Sequence, residues 1–335
     1  MPLNLAKEQS RLWSLNSGVA MVVTDLHGDW EIYKRYRDHF MDLNSQGIVD
    51  CIIFTGDLIH SESNNYPDQS LEIVLDILEL RSKFGNSVIY LCGNHELPHI
   101  YGYALAKGKI EYTPFFEQQM SRSNVRRDII NLFISLPFYI RTAAGVSITH
   151  AGAAPIISSL KLAKQLFNWN HENILSKVRL LLSKSNKEEI RSAYAKLSQA
   201  KSYEELAIQY LSVTGMDDPR FDDLLIGFFA TSVDGFDLLY SALTTKCELE
   251  FGLETYDDML VTLLQYLSSE YINQFFLVSG HITVQNGYEI VTKNQLRIAS
   301  GVHSKPLNMG RYLLFDTAQP IETMDKLLEK IHSIY

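Results

Sequence analysis

The sequence VAMVVTDLHG at residues 19–28 places an apolar run directly before an aspartate and a histidine. A short run rich in Val and followed by turn residues is typical of a buried strand. Asp25 and His27 then lie at the carboxyl end of that strand, the edge where open α/β sheets bind their ligands. Since the two residues are two positions apart, an extended backbone would point both side chains to the same side.

Four further motifs end an apolar run in the same way: Gly56-Asp57, Gly93-Asn94-His95-Glu96, Thr149-His150-Ala151-Gly152 and Ser279-Gly280-His281. Their carboxylate, amide and imidazole groups are ligands for metal ions. Ligands that come one or two at a time from separate strand ends converge only if those strands lie side by side. We therefore expect one shared site at the ends of these strands.

Six groups can form this site: Asp25, His27, Asp57, Asn94, His150 and His281. Together they can hold two divalent ions about 3.5–4 Å apart, with the Asp57 carboxylate bridging them. Such a pair lowers the pKa of a bridging water, so that hydroxide can attack phosphorus in line. The mixed nitrogen and oxygen donors suit manganese, iron or zinc better than calcium or magnesium.

The composition excludes several other classes of protein. The chain has 335 residues, 46% of them hydrophobic, and a formal charge of −9, which indicates a globular protein without the basic surface of a nucleic-acid binder. Three scattered cysteines do not form a disulfide framework or a Cys-x-x-Cys metal site. No signal-peptide pattern or membrane-length apolar run is present, so we expect a cytoplasmic location and no membrane or nucleic-acid partner.

The order of apolar patterns predicts a layered α/β core with one interruption. Strand and helix patterns alternate through residues 19–92, whereas residues 158–271 read as one helix after another. We interpret 158–271 as a helical insertion, or cap, within a single domain of residues 1–335. Strands are predicted again between residues 274 and 315, and a final helix over residues 321–332.

In this order the motifs resemble those of the calcineurin-like metallophosphoesterases, and within them the PPP-type serine/threonine phosphatases. That family has Gly-Asp-x-His-Gly, Gly-Asp-x-Val-Asp-Arg-Gly, Gly-Asn-His-Glu, His-Gly-Gly and Gly-His. The segment GHITVQNGYEIVTKNQLRIAS at residues 280–300 is similar to the family segment that begins at the last metal histidine. The resemblance covers roughly residues 19–156 and 274–316, and implies a four-layer αββα sandwich of two mixed sheets.

The resemblance also implies residue roles. Asp25, His27 and Asp57 would bind the first ion; the second ion would be held by Asp57, Asn94, His150 and His281. His95 would be the general acid that protonates the leaving oxygen, a role suited to an imidazole. Glu96 would support the ligands without binding metal. The implied activity is hydrolysis of phosphomonoesters, with a phosphoprotein, a nucleotide or a small molecule as substrate.

The second motif departs from the family pattern. Ile59-His60-Ser61-Glu62 stands where the family has Val-Asp-Arg-Gly, and residues 240–280 contain no second arginine for the phosphate. Loss of both guanidinium groups favours a phosphodiesterase or nucleotide pyrophosphate hydrolase. Alternatively, Lys246, Arg126 or Arg127 could fold over the site. A third possibility is an inactive, phosphatase-like binding module.

Several histidines fall outside the motifs. His60 and His303 are candidates to lie behind the ligands or to contact substrate, and His99 could also face the site. We expect the remaining histidines to lie on helix surfaces; they are His39, His171 and His332. The small basic cluster of Arg122, Arg126 and Arg127 is interpreted as a solvated face.

Overall fold

The computed structural model describes residues 2–63, 65–108, 110–155, 159–233, 235–244 and 246–335. Ser158, where the predicted helical insertion begins, lies outside the described residues. The chain divides into two compact units. The first unit comprises Met1–Asn94, Ser135–Trp169 and Leu238–Tyr335, and the second His95–Ile134 and Asn170–Asp237. The predicted boundaries of a 158–271 insertion in a single domain stay a prediction.

The described strands, in chain order, are β1 (Asn4–Ala6), β2 (Leu12–Ser17), β3 (Val19–Val23), β4 (Cys51–Phe54), β5 (Val88–Tyr90), β6 (Ala106–Lys107), β7 (Ile110–Glu111), β8 (Tyr139–Thr142), β9 (Val146–Thr149), β10 (Phe276–Ser279), β11 (Val284–Gln285), β12 (Tyr288–Thr292), β13 (Gln295–Ile298), β14 (Ser304–Lys305), β15 (Arg311–Asp316) and β16 (Ile331–Ser333). The described α-helices are α1 (Trp30–Ser45), α2 (Ser70–Phe84), α3 (Leu97–Tyr101), α4 (Thr113–Ser123), α5 (Arg126–Ser135), α6 (Leu160–Phe167), α7 (His171–Ser183), α8 (Lys187–Leu197), α9 (Tyr203–Leu211), α10 (Asp223–Ala230), α11 (Phe236–Thr244), α12 (Cys247–Glu250), α13 (Leu253–Ser268) and α14 (Met324–Leu328). Two 3₁₀ turns cover Gly85–Ser87 and Leu307–Met309.

Two mixed sheets build the first unit. One has seven strands in the order β1-β2-β8-β9-β10-β13-β12, and the other has five in the order β16-β15-β3-β4-β5. Strands β3, β4 and β5 are parallel, as are β9, β10 and β13. Alternate side chains of both sheets, such as Val22, Ile53, Ile148 and Val278, share one buried hydrophobic core. The sheets therefore pack face to face.

Helices cover the outer faces of both sheets within this unit. Tyr33 of α1 packs on Phe54 of β4, with 5.9 Å between ring centroids. On the other sheet, Tyr139 of β8 packs on Phe167 of α6, and the Tyr256 hydroxyl of α13 donates a hydrogen bond to Gln295 of β13. The first unit thus has helix, sheet, sheet and helix layers, and the predicted α/β fold class is confirmed.

Local sequence explains why α1 begins where it does. The Asp29 side chain caps the helix by accepting a hydrogen bond from the backbone N–H of Ile32. Tyr33, Tyr36 and Phe40 then recur at helical spacing and are fully buried. This placement fixes the turn of residues 24–29, which carries the first two predicted ligands.

Three expectations about secondary structure and burial are wrong. The helix predicted over residues 321–332 is limited to α14, because the chain then pairs as β16 with β15. Strands β1 and β2 were not expected from the sequence pattern. His171 is fully buried rather than on a helix surface, and its Nδ1 lies 2.8 Å from the Tyr101 hydroxyl. Tertiary pairing outweighs local pattern at these places.

The second unit consists of α3, α4, α5, α7–α10 and the short β6–β7 hairpin. The carboxylate of Glu117 is buried within this unit. It lies 2.9 Å from His99 Nδ1, 2.8 Å from Arg126 Nε and 3.2 Å from Arg220 Nη1. Arg126 and His99 are thus partners of Glu117, so the solvated face expected for Arg126 is wrong.

Among the described residues, no helix combines the length and the apolar character that a membrane crossing requires.

Candidate metal centre

The predicted ligands follow the carboxyl ends of neighbouring strands. Asp25, Asp57 and Asn94 come after β3, β4 and β5, which pair in parallel and therefore end at one edge. His150 and His281 come after β9 and β10, which are also parallel neighbours. All five residues belong to the first unit. Asp25 and His150 are fully buried, and Asp57 is 1% exposed.

Three predicted ligand groups surround one nitrogen of a fourth, His150. Its Nε2 lies 3.0 Å from Asn94 Oδ1, 3.1 Å from His281 Nδ1 and 3.4 Å from Asp57 Oδ2. Donors that share one ion through bonds of about 2.1 Å stand roughly 3–4 Å apart. We call Asp57, Asn94, His150 and His281 the second donor set.

Asp57 also approaches the residues predicted for the first ion. Its Oδ2 lies 3.9 Å from Nε2 of His27. His27 and Asp25 themselves lie in a group whose ligand atoms are all within 4.8 Å of one another, and which also contains His303. We call Asp25, His27 and Asp57 the first donor set. Asp57 thus lies between the two sets, where a bridging carboxylate would be placed.

Backbone carbonyls orient three of the imidazoles. Nδ1 of His27 lies 3.1 Å from the His60 carbonyl, and Nδ1 of His150 lies 3.0 Å from the Thr55 carbonyl. Nε2 of His281 lies 3.3 Å from the Thr244 carbonyl. Because a carbonyl only accepts, each of these nitrogens carries the proton, and the other ring nitrogen presents a lone pair to the donor sets. Metal-binding histidines are held in the same manner.

The chemistry of these residues fits divalent cations. In the described part of the chain, the ion-pair partners of the buried Asp25 carboxylate are the imidazoles of His150 and His303 rather than a lysine or arginine. Burial lowers the pKa of His27, and burial together with the neighbouring His150 lowers that of His281 well below its ordinary value. Neutral imidazoles beside buried carboxylates are the protonation states that a metal ion requires.

The backbone is strained at four of the predicted ligands. Asp25, His27, Asp57 and His281 all have positive φ values, of 23°, 47°, 51° and 71°. Such a conformation is unfavourable for residues with a side chain, and it persists where function requires it. The extended geometry expected for Asp25 and His27 is therefore wrong, because β3 ends at Val23 and the chain turns before the ligands.

Two glycines allow the strand ends to approach each other. A Cβ atom on Gly56, which has φ of 107°, would stand 2.6 Å from the Gly93 backbone. A Cβ atom on Gly280 would collide with the Asp25 carboxylate. Any larger residue at either position would therefore displace a predicted ligand or the strand end beside it.

The remaining predicted residues have mixed placements. His60 is fully buried, and its carbonyl positions His27. Lys246 is exposed, and its ammonium charge contributes to the lowered pKa of His281. His95 and Glu96 belong to the second unit; both are buried, and the His95 ring lies 5.0 Å from that of Tyr112.

One participant was not assigned from the sequence. The Glu62 carboxylate lies 3.3 Å from Nε2 of His303, a residue 241 positions further along the chain. The departure of residues 59–62 from the family pattern was the signal at this position. It indicated that the second motif is altered, but it did not indicate the partner of Glu62.

Residues 19–212 match the family model of the calcineurin-like phosphoesterases, which covers more than half of the chain. The chain therefore belongs to the calcineurin-like phosphoesterase family, and the resemblance inferred from the motifs is confirmed. The search of curated proteins gave no match.

Among solved structures, the chain is similar to a point mutant of a cold-active protein tyrosine phosphatase. The identity is 14%, the match covers 92% of this chain and 79% of that one, and the TM-score is 0.50. Another similar structure is a protein serine/threonine phosphatase from Saccharomyces cerevisiae, described as similar to human phosphatase PP5. It has 14% identity, coverage of 92% and 77%, and a TM-score of 0.47. At this identity the first likeness shows a shared fold.

Proposed function

We propose that this protein is a dinuclear metal-dependent phosphatase of the cytoplasm that hydrolyses phosphomonoesters, including phosphoproteins. One observation carries the proposal: Asp57 lies between two sets of buried or half-buried donors, at 3.9 Å from His27 and 3.4 Å from His150. A carboxylate in this position can bind two cations at once. Membership of a phosphoesterase family supports the same reaction class.

Two divalent ions (manganese, iron or zinc), when bound, polarise the phosphoryl oxygens and lower the pKa of a water molecule between them. The residues of the chain supply the rest. Asp25, His27, Asp57, Asn94, His150 and His281 hold the cations. The carbonyls of His60, Thr55 and Thr244 keep the imidazoles in the correct tautomer.

His95, which directly follows Asn94, donates a proton to the leaving oxygen in this proposal. Glu96 supports that segment from a fully buried position. Lys246, whose positive charge contributes to the lowered pKa of His281, supplies a cation for the phosphate in place of the missing arginines. Substrate phosphate would thus meet one ammonium group in addition to the metal ions.

Phosphodiester hydrolysis is the second candidate, and a specific observation favours it. Glu62 occupies the altered second motif, and its carboxylate reaches His303 beside the first donor set. A carboxylate one residue after Ser61, which stands at the position of the lost arginine, repels a phosphomonoester dianion more strongly than a diester monoanion. Weaker repulsion would likewise favour hydrolysis of a nucleotide pyrophosphate bond over that of a phosphomonoester dianion.

Activity assays separate these candidates. Chain loaded with manganese is tested on p-nitrophenyl phosphate, bis-p-nitrophenyl phosphate, a nucleoside diphosphate ester and phosphoserine and phosphotyrosine peptides. The proposal expects kcat/KM to be higher for the monoesters than for the diester. A preference for the diester would favour the second candidate, and tight binding of metal without any turnover would favour an inactive binding module.

A further inference from the structure

His303 lies beside the first donor set, although the family resemblance gives it no metal-binding role. It follows β13 and is 6% exposed. Its ring centroid lies 4.8 Å from that of His27, and its Nδ1 lies 3.7 Å from Asp25 Oδ1. The ligand atoms of these three residues are all within 4.8 Å of one another. His303 thus lies beside Asp25 and His27, two predicted ligands of the first ion.

The two ring nitrogens of His303 have different surroundings. Nε2 faces the Glu62 carboxylate at 3.3 Å, and a carboxylate accepts a hydrogen bond, so Nε2 carries the proton. Nδ1 is buried and has no hydrogen-bond partner among the described residues. A buried lone pair without a partner costs free energy. Nδ1 therefore presents a lone pair toward Asp25 and His27, and a cation there would satisfy it.

The distance between His303 and Asp25 supports a shared ion rather than a direct hydrogen bond. A separation of 3.7 Å is too long for an N–H···O hydrogen bond. It agrees with two donors on one ion, which stand roughly 3–4 Å apart when each bond is about 2.1 Å. A direct bond would also require protons on both ring nitrogens of His303.

Glu62 completes an arrangement that is known from metal sites in general. A carboxylate that accepts the distal N–H of a histidine fixes the ring and raises the basicity of the nitrogen that binds metal. The rings of His27, His150 and His281 each face a backbone carbonyl. His303 instead faces a side-chain carboxylate, that of Glu62. Glu62 stands where the second motif departs from the family pattern.

We propose that His303 is an additional ligand of the first ion, bound through Nδ1 and oriented by Glu62. The inference rests on the proposed dinuclear centre. It gives the first ion two imidazoles, from His27 and His303, in addition to its carboxylates. An imidazole in place of water favours zinc, iron or manganese over magnesium at that position.

Metal titration of the full chain tests this proposal without reference to activity. Protein freed of metal with a chelator is titrated with Zn²⁺ by calorimetry, and with Co²⁺ while its visible absorption bands are recorded. The variants are His303→Ala and Glu62→Gln. The control is His39→Ala, which removes an imidazole of the same unit whose partner is the Tyr312 hydroxyl. Circular dichroism verifies that each variant is folded.

We expect two ions per wild-type chain. The affinity for the first ion should fall by more than about 100-fold in His303→Ala and by about 10–100-fold in Glu62→Gln. The Co²⁺ bands of that same ion should change in both variants, and His39→Ala should behave as wild type. Unchanged affinities in both variants would overturn the proposal. If His303→Ala does not fold, the Glu62→Gln result decides. Fewer than two bound ions per wild-type chain would overturn the dinuclear centre. Two ions whose affinities are the same in wild type and in both variants would overturn only the role of His303.

Discussion

Nε2 of His150 and Nδ1 of His281 face each other at 3.1 Å, just after the carboxyl ends of the parallel strands β9 and β10. The opposite nitrogen of each ring points at a backbone carbonyl, so it holds the proton of that ring. The two facing nitrogens therefore both present lone pairs, which repel each other unless a cation lies beside them. Asp57 Oδ2 is the third donor at this point, 3.4 Å from His150.

The first prediction concerns Asp57. Replacing it with Asn removes the charge that both donor sets share, so both ions should bind more weakly, each by more than about 100-fold. Zinc titration by calorimetry measures the effect. Asp316→Asn, at the end of β15 and outside both donor sets, serves as the control. If Asp57→Asn weakens only one ion, Asp57 does not bridge.

The second prediction concerns His95. His95→Asn should lower kcat by about 10²–10⁴ for substrates with poor leaving groups, because the leaving oxygen then lacks its proton donor. The loss should be much smaller for p-nitrophenyl phosphate, whose leaving group departs without a proton. Metal content should stay at the wild-type value. An equal loss across a series of aryl phosphates of increasing leaving-group pKa would argue against the acid role.

The third prediction uses the close approach at Gly280. In Gly280→Ala, the added Cβ collides with the Asp25 carboxylate, so the affinity for zinc should fall by more than about 100-fold. Gly47→Ala is the matched control. Its Cβ would meet no atom within 4 Å, although its φ of 71° makes alanine unfavourable there. The control should lose about 1–2 kcal/mol of stability and no metal affinity. Equal metal binding by both variants would contradict the geometry.

The fourth prediction concerns pH and the Glu117 cluster in the second unit. Burial opposes ionisation of Glu117, but the hydrogen bond from His99 and the charge of Arg126 outweigh it and lower its pKa to about 2, from an ordinary value of 4.5. Since the folded pKa is the lower one, the ionised carboxylate stabilises the fold above pH 4.5, and this contribution is lost as pH falls toward 2.

Glu117→Gln tests this dependence. At pH 7 the variant should lose about 3 kcal/mol of unfolding free energy, because the cations around Glu117 lose their counter-charge. The difference from wild type, measured by urea denaturation, should shrink as pH is lowered from 5 to 3. A difference that is independent of pH over this range would show that Glu117 is not ionised in the folded protein.

The sequence predicts much of this arrangement because its signals are local. Strands β3, β4, β5, β9 and β10 are continuous apolar runs, and each precedes a predicted ligand by a few residues, so the local sequence indicates the strands and the order of the candidate residues. The same local signals do not show that Asp25 and His27 lie in a turn with positive φ. That conformation depends on how the strand ends pack together.

Other features could not be predicted because they depend on distant partners. Glu62 and His303 are 241 residues apart, and no periodic pattern links them. Strand β16 exists because it pairs with β15, although its sequence continues a helical pattern. His171 is buried beside Tyr101, whose hydroxyl lies 2.8 Å from its Nδ1. In each case tertiary contact, rather than local preference, decides the structure.

The position of two ions relative to Asp57 is the most direct test of the account. A crystal of the full chain grown with manganese, with anomalous diffraction data, would locate them. We expect two anomalous peaks about 3.5–4 Å apart, with the Asp57 carboxylate between them and His150 and His281 on one of them. A single peak, or two peaks that do not share Asp57, would contradict the dinuclear centre.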